Sequence, residues 1–239
     1  MIWNGTPKFN YVPAPRKTTK EKRTYSAEGE DLPSVTTILQ ATKDREALQK
    51  LAAWRQREGE KKADEIRDNA AARGTIMHRI LEGYLKGQGH MDLTDLGVEA
   101  GTMAQNIIDA GLFRPLEEVY GVEVPLYYPG LYGGTSDVVG IYDNKEAIID
   151  FKQSNGWKKR EWIGDYFVQC VAYAMAHNEL YKTNIQSGVI LISQRNGKVY
   201  KYDCFGTEWE HHKMDWLRRV DAYYKQQAPG AIVPNLSKT

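Results

Sequence analysis

The middle of the chain alternates apolar and polar residues as β-strands do. Residues 120–128 place apolar side chains at every second position around Glu123, and a period of two predicts a strand with one buried face. Pro125 within this run favours the edge of a sheet or a bulge, because proline cannot donate a hydrogen bond to a neighbouring strand. Two further strand-like runs, 133–142 and 145–152, are separated by only two residues and predict a hairpin.

Helical periodicity dominates the chain before these strands. A helix is predicted to begin at Ser34, whose hydroxyl can accept a hydrogen bond from a free amide of the first turn. Further helices are predicted over 44–57, 70–85 and 92–117, where apolar residues recur every three or four positions. Three or four helices are therefore expected to precede any strand.

The last third of the chain returns to strands and helices in alternation. A long helix is predicted over 162–180, two strands over 187–193 and 199–204, and a final helix over 208–226. The whole order predicts an α/β fold of restriction-endonuclease type, in which a mixed central sheet is flanked by helices and preceded by an N-terminal helical lobe.

Composition divides the chain further. We expect a flexible basic arm over 1–30, a helical lobe with the first core helix over 31–115, a core over 116–228 and a tail over 229–239. The first 27 residues contain six lysines or arginines against one glutamate, and three prolines. Such an arm either is solvated or contacts phosphate groups.

The overall composition is that of a soluble globular protein. A chain of 239 residues with 41% hydrophobic residues can bury a single core. No apolar run approaches the roughly 20 residues of a membrane span, and no signal peptide is evident, so we expect a cytoplasmic protein with no membrane partner. The net charge of +1 means that any nucleic-acid surface must be local. Cys170 and Cys204 are interpreted as buried thiols, because their spacing suits neither a disulfide framework nor a metal site.

The strongest chemical candidate is the end of the second hairpin strand. Asp150 and Lys152 lie two apart, so they share one face of the strand. If Asp143 and Asn144 form a two-residue turn, Asp137 lies directly opposite Asp150, with Cβ atoms roughly 5 Å apart. Opposed like charges destabilise a sheet unless a divalent cation such as Mg²⁺ lies between them. The alternative is an ordinary surface ion pair at a strand terminus.

Three other positions each allow two interpretations from the residues alone. Glu123 either faces solvent or adds a third carboxylate to the site. His78, on the same helix face as Gly74, is either a packed histidine or part of the site. The run 157–160 combines tryptophan with basic residues, which suits stacking of single-stranded nucleic acid or simply anchors a loop.

Taken in order, these motifs resemble those of the PD-(D/E)xK nuclease superfamily, in its RecB-like branch. The resemblance covers most of residues 70 to 175 and includes Gly74-Thr75-x-x-His78, Glu123, Gly134-x-x-Asp137, Asp150-Phe151-Lys152 and Gln169-x-x-x-Tyr173. It implies that Asp137, Asp150, Lys152 and Glu123 are catalytic. It also implies that His78, Asp137, Asp150 and the Phe151 carbonyl hold Mg²⁺ or Mn²⁺. Gln169 and Tyr173 would contact the DNA backbone or steady the strand of Asp150 and Lys152. We also expect Thr75 to bind substrate, together with Trp157, Lys158 and Lys159, the stacking and basic residues noted above.

Residues 32–40 and 169–173 further resemble the mitochondrial genome maintenance exonuclease family. This resemblance implies a DNA exonuclease that prefers single strands with free ends, with a single-strand-binding or recombination partner. No targeting presequence precedes the domain, so we expect a bacterial or viral relative that acts in the bacterial cytoplasm or in a virus-infected cell. The chain departs from the family at Gln153, where threonine or serine is usual. Alternatives are a 5′–3′ exonuclease that resects duplex DNA for recombination, and a non-catalytic DNA-binding module. An iron–sulfur cluster is not expected, since it needs four cysteines.

Overall fold

The computed structural model describes residues 3, 5–19 and 22–227. Its strands are β1 (Arg16–Thr18), β2 (Arg23–Ala27), β3 (Glu30–Pro33), β4 (Leu116–Tyr128), β5 (Tyr132–Tyr142), β6 (Lys145–Ser154), β7 (Ser187–Gln194) and β8 (Val199–Phe205). Its α-helices are α1 (Val35–Ala41), α2 (Arg45–Glu58), α3 (Glu60–Leu85), α4 (Asp95–Asp109), α5 (Gly164–Tyr181) and α6 (Gly206–Gln227), and a short 3₁₀ helix spans Arg160–Trp162.

Five strands form the central sheet in the order β4-β5-β6-β7-β8. The pair β6 and β7 is parallel, and the other neighbouring pairs are antiparallel. A parallel pair needs a crossover connection, and α5 supplies it. The predicted α/β fold class, a mixed sheet flanked by helices, is confirmed.

Helices cover both faces of this sheet. Along β7, Ile190 and Ile192 face a core built with α1, α5 and α6. The alternate residues Val189 and Leu191 face a second core built with α3 and α4. Because both faces are buried, β7 is apolar throughout instead of alternating with polar residues.

The hairpin that carries the candidate aspartates forms with the predicted register. Tyr142 pairs with Lys145, and the pairing continues in step to Val138 and Ile149. Asp143 and Asn144 form the turn with φ angles of 54° and 62°, the left-handed values that a two-residue hairpin turn requires. The prediction that Pro125 lies in an edge strand is also confirmed, because β4 ends the sheet.

The N-terminal segment differs from its prediction. Strands β1, β2 and β3 form a separate antiparallel sheet, and Tyr25 within it is buried. A flexible arm is therefore the wrong description of residues 16–27, and helices do not precede all strands. The signal was missed because these strands are three to five residues long and expose most of their charged side chains. Residues 20 and 21 of the predicted arm, and the predicted tail 229–239, lie outside the described residues.

Helix bounds also differ in places. Ser34 and Asp44 cap α1 and α2 as their positions suggest, each accepting a hydrogen bond from the amide three residues on. Helix α3 begins at residue 60 instead of 70. Its added turns are highly charged, and Arg67 pairs with Asp64 one turn away on the exposed surface. Helix α4 covers 95–109, the middle of the longer span predicted. Within the described ranges, no helix combines the length and apolarity needed to cross a bilayer.

Candidate active site

The β5–β6 hairpin brings two buried carboxylates to the end of the sheet. Asp137 and Asp150 are 8% and 2% exposed, and one further step in the observed register places them opposite each other. The backbone amide of Phe151 donates a hydrogen bond of 2.7 Å to Asp137 Oδ2. Burial raises the pKa of Asp150, and the charge of Asp137 adds to this effect. The two carboxylates are thus poorly solvated and close enough for the charge of one to affect the pKa of the other.

Lys152 supplies a cation beside these carboxylates. Its ammonium group forms an ion pair with Asp150 Oδ2 and lies 5.1 Å from the ring centre of Tyr166. Burial alone would lower the pKa of Lys152, but Asp150 and Asp137 together raise it above its usual value. The lysine is therefore protonated in this environment.

His78 of α3 links the helix to both hairpin strands. Its Nδ1 lies 3.2 Å from Asp137 Oδ1, and its Nε2 lies 2.8 Å from the carbonyl oxygen of Phe151. Burial lowers the pKa of His78, but the Asp137 carboxylate outweighs this and raises it to about 9. An imidazolium that donates from both nitrogens fits these contacts, since both partners are acceptors.

Glu123 reaches the same site from the edge strand. Its neighbours Val122 and Val124 pair with Val138 and Ser136, so counting along the ladder places Glu123 opposite Asp137. Its φ angle of 54° is uncommon for a residue with a side chain and is typical of functional positions. Burial, with the nearby Asp137, raises the pKa of Glu123 to about 7. The structure therefore supports the second interpretation given above, in which Glu123 adds a third carboxylate to the site.

These side chains suit a divalent cation. His78, Glu123 and Asp137 each offer a ligand atom, and the three atoms lie within 4.8 Å of one another. Burying Glu123, Asp137 and Asp150 together costs free energy unless positive charge lies nearby. In the structure, Lys152 and protonated His78 supply that charge. Carboxylate oxygens are also the donors that hard cations prefer.

A cavity of about 520 Å³ opens over this group. Among the residues singled out from the sequence, it is lined by Thr75, His78, Glu123, Asp137, Asp150, Phe151, Lys152, Gln169 and Tyr173. The structure therefore gathers residues from α3, β4, β5, β6 and α5 around one space.

Gln169 and Tyr173 lie one turn apart on α5, and the Gln169 amide donates a 3.0 Å hydrogen bond to the Tyr173 hydroxyl. The Tyr173 ring packs so closely on Gly134 that a Cβ there would lie 2.3 Å from a ring carbon. A glycine three residues before Asp137 is therefore required by packing.

Trp157, Lys158 and Lys159 do not line the cavity. They lie in the loop after β6, where Trp157 is 54% exposed and its ring centre lies 6.4 Å from that of Trp162. The Lys158 carbonyl accepts a 2.8 Å hydrogen bond from the Tyr202 hydroxyl. This loop is thus fixed through its backbone while its indole rings face solvent.

A buried arginine that the sequence did not suggest joins α3 to the end of β6. Arg73 is 4% exposed, and its guanidinium donates two hydrogen bonds, of 3.0 and 2.8 Å, to Gln153 Oε1. The Gln153 amide in turn donates to the Ala70 carbonyl at 3.1 Å. Gln153, the residue that departs from the family pattern, therefore sets the position of the Lys152 strand against the helix that carries His78.

Other residues of the cavity wall were also missed. Tyr166 precedes Gln169 at helical spacing, and this periodicity could have identified it. Arg16, Arg23 and Tyr25 come from the N-terminal sheet, and Arg79 follows His78 on α3. No local sequence signal connects the N-terminal residues with the hairpin.

A second group of possible metal ligands lies on β8 and α6. Cys204, Glu208 and His212 also present ligand atoms within 4.8 Å of one another. Both carboxylate oxygens of Glu208, however, accept hydrogen bonds from the Arg160 guanidinium, at 3.0 and 2.6 Å. Burial raises the pKa of the Cys204 thiol to about 12, so it is protonated at neutral pH. Glu208 is therefore already paired with Arg160, and the Cys204 thiol is neutral. This second group suits a metal cation less well than the first.

The chain is similar to known proteins at low sequence identity. No family model matches the chain. The chain is 28% identical to human mitochondrial genome maintenance exonuclease 1 over 82% of its own length and 59% of the relative. It is 28% identical to the protein of the same name from Xenopus tropicalis, over 89% of the chain and 63% of the relative. The chain thus spans about three fifths of the length of these relatives.

One solved structure, described as a candidate exonuclease from Eubacterium rectale, is 14% identical, with a TM-score of 0.47. The match covers 66% of this chain and 65% of the other. A superposition this loose does not inform the fold or the activity.

Proposed function

We propose that this protein is a metal-dependent DNA exonuclease of the PD-(D/E)xK type, which acts on single-stranded DNA with free ends. The observation that carries the proposal is the convergence of Asp137, Asp150 and Lys152 with His78 and Glu123 around one cavity. Relatives that are named exonucleases support it.

In this proposal Asp137 and Asp150, together with His78, Glu123 and the Phe151 carbonyl, hold Mg²⁺ or Mn²⁺. A bound divalent cation would lower the pKa of a coordinated water and stabilise charge during in-line displacement at phosphorus. The Phe151 carbonyl now accepts a hydrogen bond from His78. His78 must therefore lose a proton and release this carbonyl before both can bind a cation.

Lys152 acts as an electrostatic group. Its raised pKa keeps the ammonium protonated, so it can contact an oxygen of the scissile phosphate and stabilise the negative charge that develops there. The ion pair with Asp150 fixes its position before substrate binds. In the metal-free site the two carboxylates raise the pKa of Lys152, which favours the electrostatic role over that of a general base.

The preference for single strands rests on the loop after β6. Trp157 and Trp162 are 54% and 63% exposed, and the Lys159 ammonium lies 5.6 Å from the ring centre of Trp162. Exposed rings beside cations suit stacking of unpaired bases, which a duplex does not offer. The hydrogen bond from the Tyr202 hydroxyl to the Lys158 carbonyl anchors the loop backbone, which reduces the ordering needed on binding.

The first test measures release of labelled nucleotides from end-labelled single-stranded DNA with Mg²⁺ or Mn²⁺. We expect Asp150→Asn to lower the rate by at least about a thousandfold, because it removes a charge from the cation site. Asp143→Asn is the matched control, because it lies at the turn of the same hairpin and asparagine adopts its left-handed backbone. Equal degradation by wild type and Asp150→Asn, or none by either, would contradict the proposal.

The second test compares linear single-stranded, blunt duplex and circular single-stranded DNA. An exonuclease that prefers single strands degrades the first, degrades the second slowly and leaves the circle intact. Faster degradation of the blunt duplex would favour a resecting exonuclease, and cleavage of the circle would show endonuclease activity. Binding without any cleavage would favour the non-catalytic alternative.

A further inference from the structure

The N-terminal sheet presents two arginines on one face. Arg16 pairs with Tyr25, and Thr18 pairs with Arg23. Paired residues lie on the same face of a sheet, and residues two apart along a strand do so as well. Arg16, Arg23 and Tyr25 therefore share a face, although the sequence places both arginines in an apparently unstructured basic arm.

Tyr25 determines where that face points. Its side chain is 3% exposed and packs against Gly133 of β5, and its hydroxyl lies 3.2 Å from Thr135 Oγ1. Thr135 is two residues from Asp137. The face that carries Arg16 and Arg23 is thus joined to the strand of the candidate active site, and both arginines line its cavity.

The two arginines on this face have no acidic partner among the described residues. Lys17, on the opposite face of β1, forms an ion pair of 3.0 Å with Asp31. Among residues 3, 5–19 and 22–227, neither Arg16 nor Arg23 has an acidic group within 4.0 Å. Two uncompensated guanidinium groups therefore border a cavity whose centre is acidic. This arrangement suits an elongated anion with several charges, which can contact the arginines while one of its groups lies at the acidic centre.

We propose that Arg16 and Arg23 bind backbone phosphates of the DNA strand beside the phosphate that is cleaved. The inference rests on the proposed function and extends the same site to the N-terminal sheet. Guanidinium groups bind phosphate through two parallel hydrogen bonds, which fix position as well as adding attraction. Phosphate contacts of this kind set the register of the strand and are independent of base sequence.

The test is the affinity of a fluorescein-labelled oligothymidylate, measured by anisotropy in EDTA at several NaCl concentrations. The variant is the double substitution Arg16→Ala with Arg23→Ala. We expect roughly tenfold weaker binding at low salt, and a slope of log affinity against log salt reduced by about 1.4, which is about 0.7 for each phosphate contact on a single strand.

Lys17→Ala is the matched control, because it removes a cation from the same strand but from the face that pairs with Asp31. We expect its affinity to stay within about twofold of wild type and its salt slope to stay unchanged. The Arg23 substitution preserves the fold, since the Arg23 carbonyl keeps its hydrogen bonds from the Ser34 amide at 3.0 Å and the Thr37 hydroxyl at 3.1 Å. Thermal unfolding of each variant checks this.

An unchanged salt slope in the double variant, or an equal loss in Lys17→Ala, would overturn the inference. If wild type cleaves DNA and the double variant binds it normally, this inference fails while the proposed function stands. If wild type neither binds nor cleaves DNA, both fail. Partial rescue by Arg16→Lys with Arg23→Lys would support the inference, since lysine keeps the charge but not the paired hydrogen bonds.

Discussion

In the part of the chain that the structure describes, two groups of side chains have the composition of a metal site, and one of the two remains available to a cation. His78, Glu123 and Asp137 present ligand atoms within 4.8 Å of one another, and so do the three residues of the second group, on β8 and α6. The two groups are alike in the closeness of their donors and in each containing a histidine. They differ in the charges that surround them.

In the second group the protein itself supplies the cation. The Arg160 guanidinium binds both oxygens of Glu208, and burial keeps the Cys204 thiol neutral by raising its pKa. In the first group the balancing charges are Lys152, paired with Asp150, and the proton of His78, which is exchangeable. Proximity of donors alone is therefore a poor guide to a metal site. What distinguishes the first group is that one of its balancing charges is an exchangeable proton, which a cation can replace.

The largest expected difference between the groups is in activity. Asp137→Asn should lower exonuclease activity by at least about a thousandfold, because it removes a charged ligand of the proposed cation. Glu208→Gln should change activity by less than about twofold. Single-turnover rates on labelled single-stranded DNA measure both. A comparable loss in the two variants would mean that the second group also contributes to catalysis.

The next difference concerns pH. At pH 8 the metal-free first group must release the proton of His78, whose pKa is about 9, and at pH 6 also that of Glu123, whose pKa is about 7. Each proton lowers the apparent affinity about tenfold per pH unit below its pKa. We expect Mn²⁺ to bind about a thousandfold more weakly at pH 6 than at pH 8, a hundredfold from His78 and tenfold from Glu123, as measured by calorimetry.

In Glu123→Gln, Mn²⁺ binding should release one proton fewer below pH 7, because glutamine does not titrate. The affinity for Mn²⁺ should therefore fall less steeply with pH in this variant. An affinity for Mn²⁺ that is constant from pH 6 to pH 8 would show that neither His78 nor Glu123 contacts the cation.

The smallest expected effects are on stability, and they have opposite signs. The folded-state pKa of Glu123 is raised, so its contribution to stability is full below its unfolded pKa and is lost as pH rises through 7. At pH 8 in EDTA, Glu123→Gln should therefore raise the free energy of unfolding by about 1–3 kcal/mol. Arg160→Met should lower it by about 1 kcal/mol, since it leaves Glu208 unpaired at a half-exposed site. Urea denaturation checks both signs. A loss of stability in Glu123→Gln would contradict the conclusion that burial destabilises the ionised form of Glu123.

The candidate site was partly predictable. The register of Asp137 and Asp150 followed from a two-residue turn, because that turn fixes every later pairing in the hairpin. Gln169 and Tyr173 followed from helical spacing. Glu123 stayed ambiguous until its left-handed backbone and its strand pairing were known. The sequence left Arg16 and Arg23 in a basic arm that either is solvated or contacts phosphate, and it did not place them at the site. Arg73 was missed. The contacts of all three residues join segments that are far apart in the chain.

The sequence alone determined the order of the core helices and strands and the alignment of the hairpin, because both depend on local periodicity and turn chemistry. Only the tertiary structure decided which charges meet. It placed the N-terminal arginines on the cavity wall, joined Arg73 to Gln153 and neutralised Glu208 with Arg160. These outcomes depend on packing between distant segments and on the cost of burying charge, and neither quantity can be read from neighbouring residues.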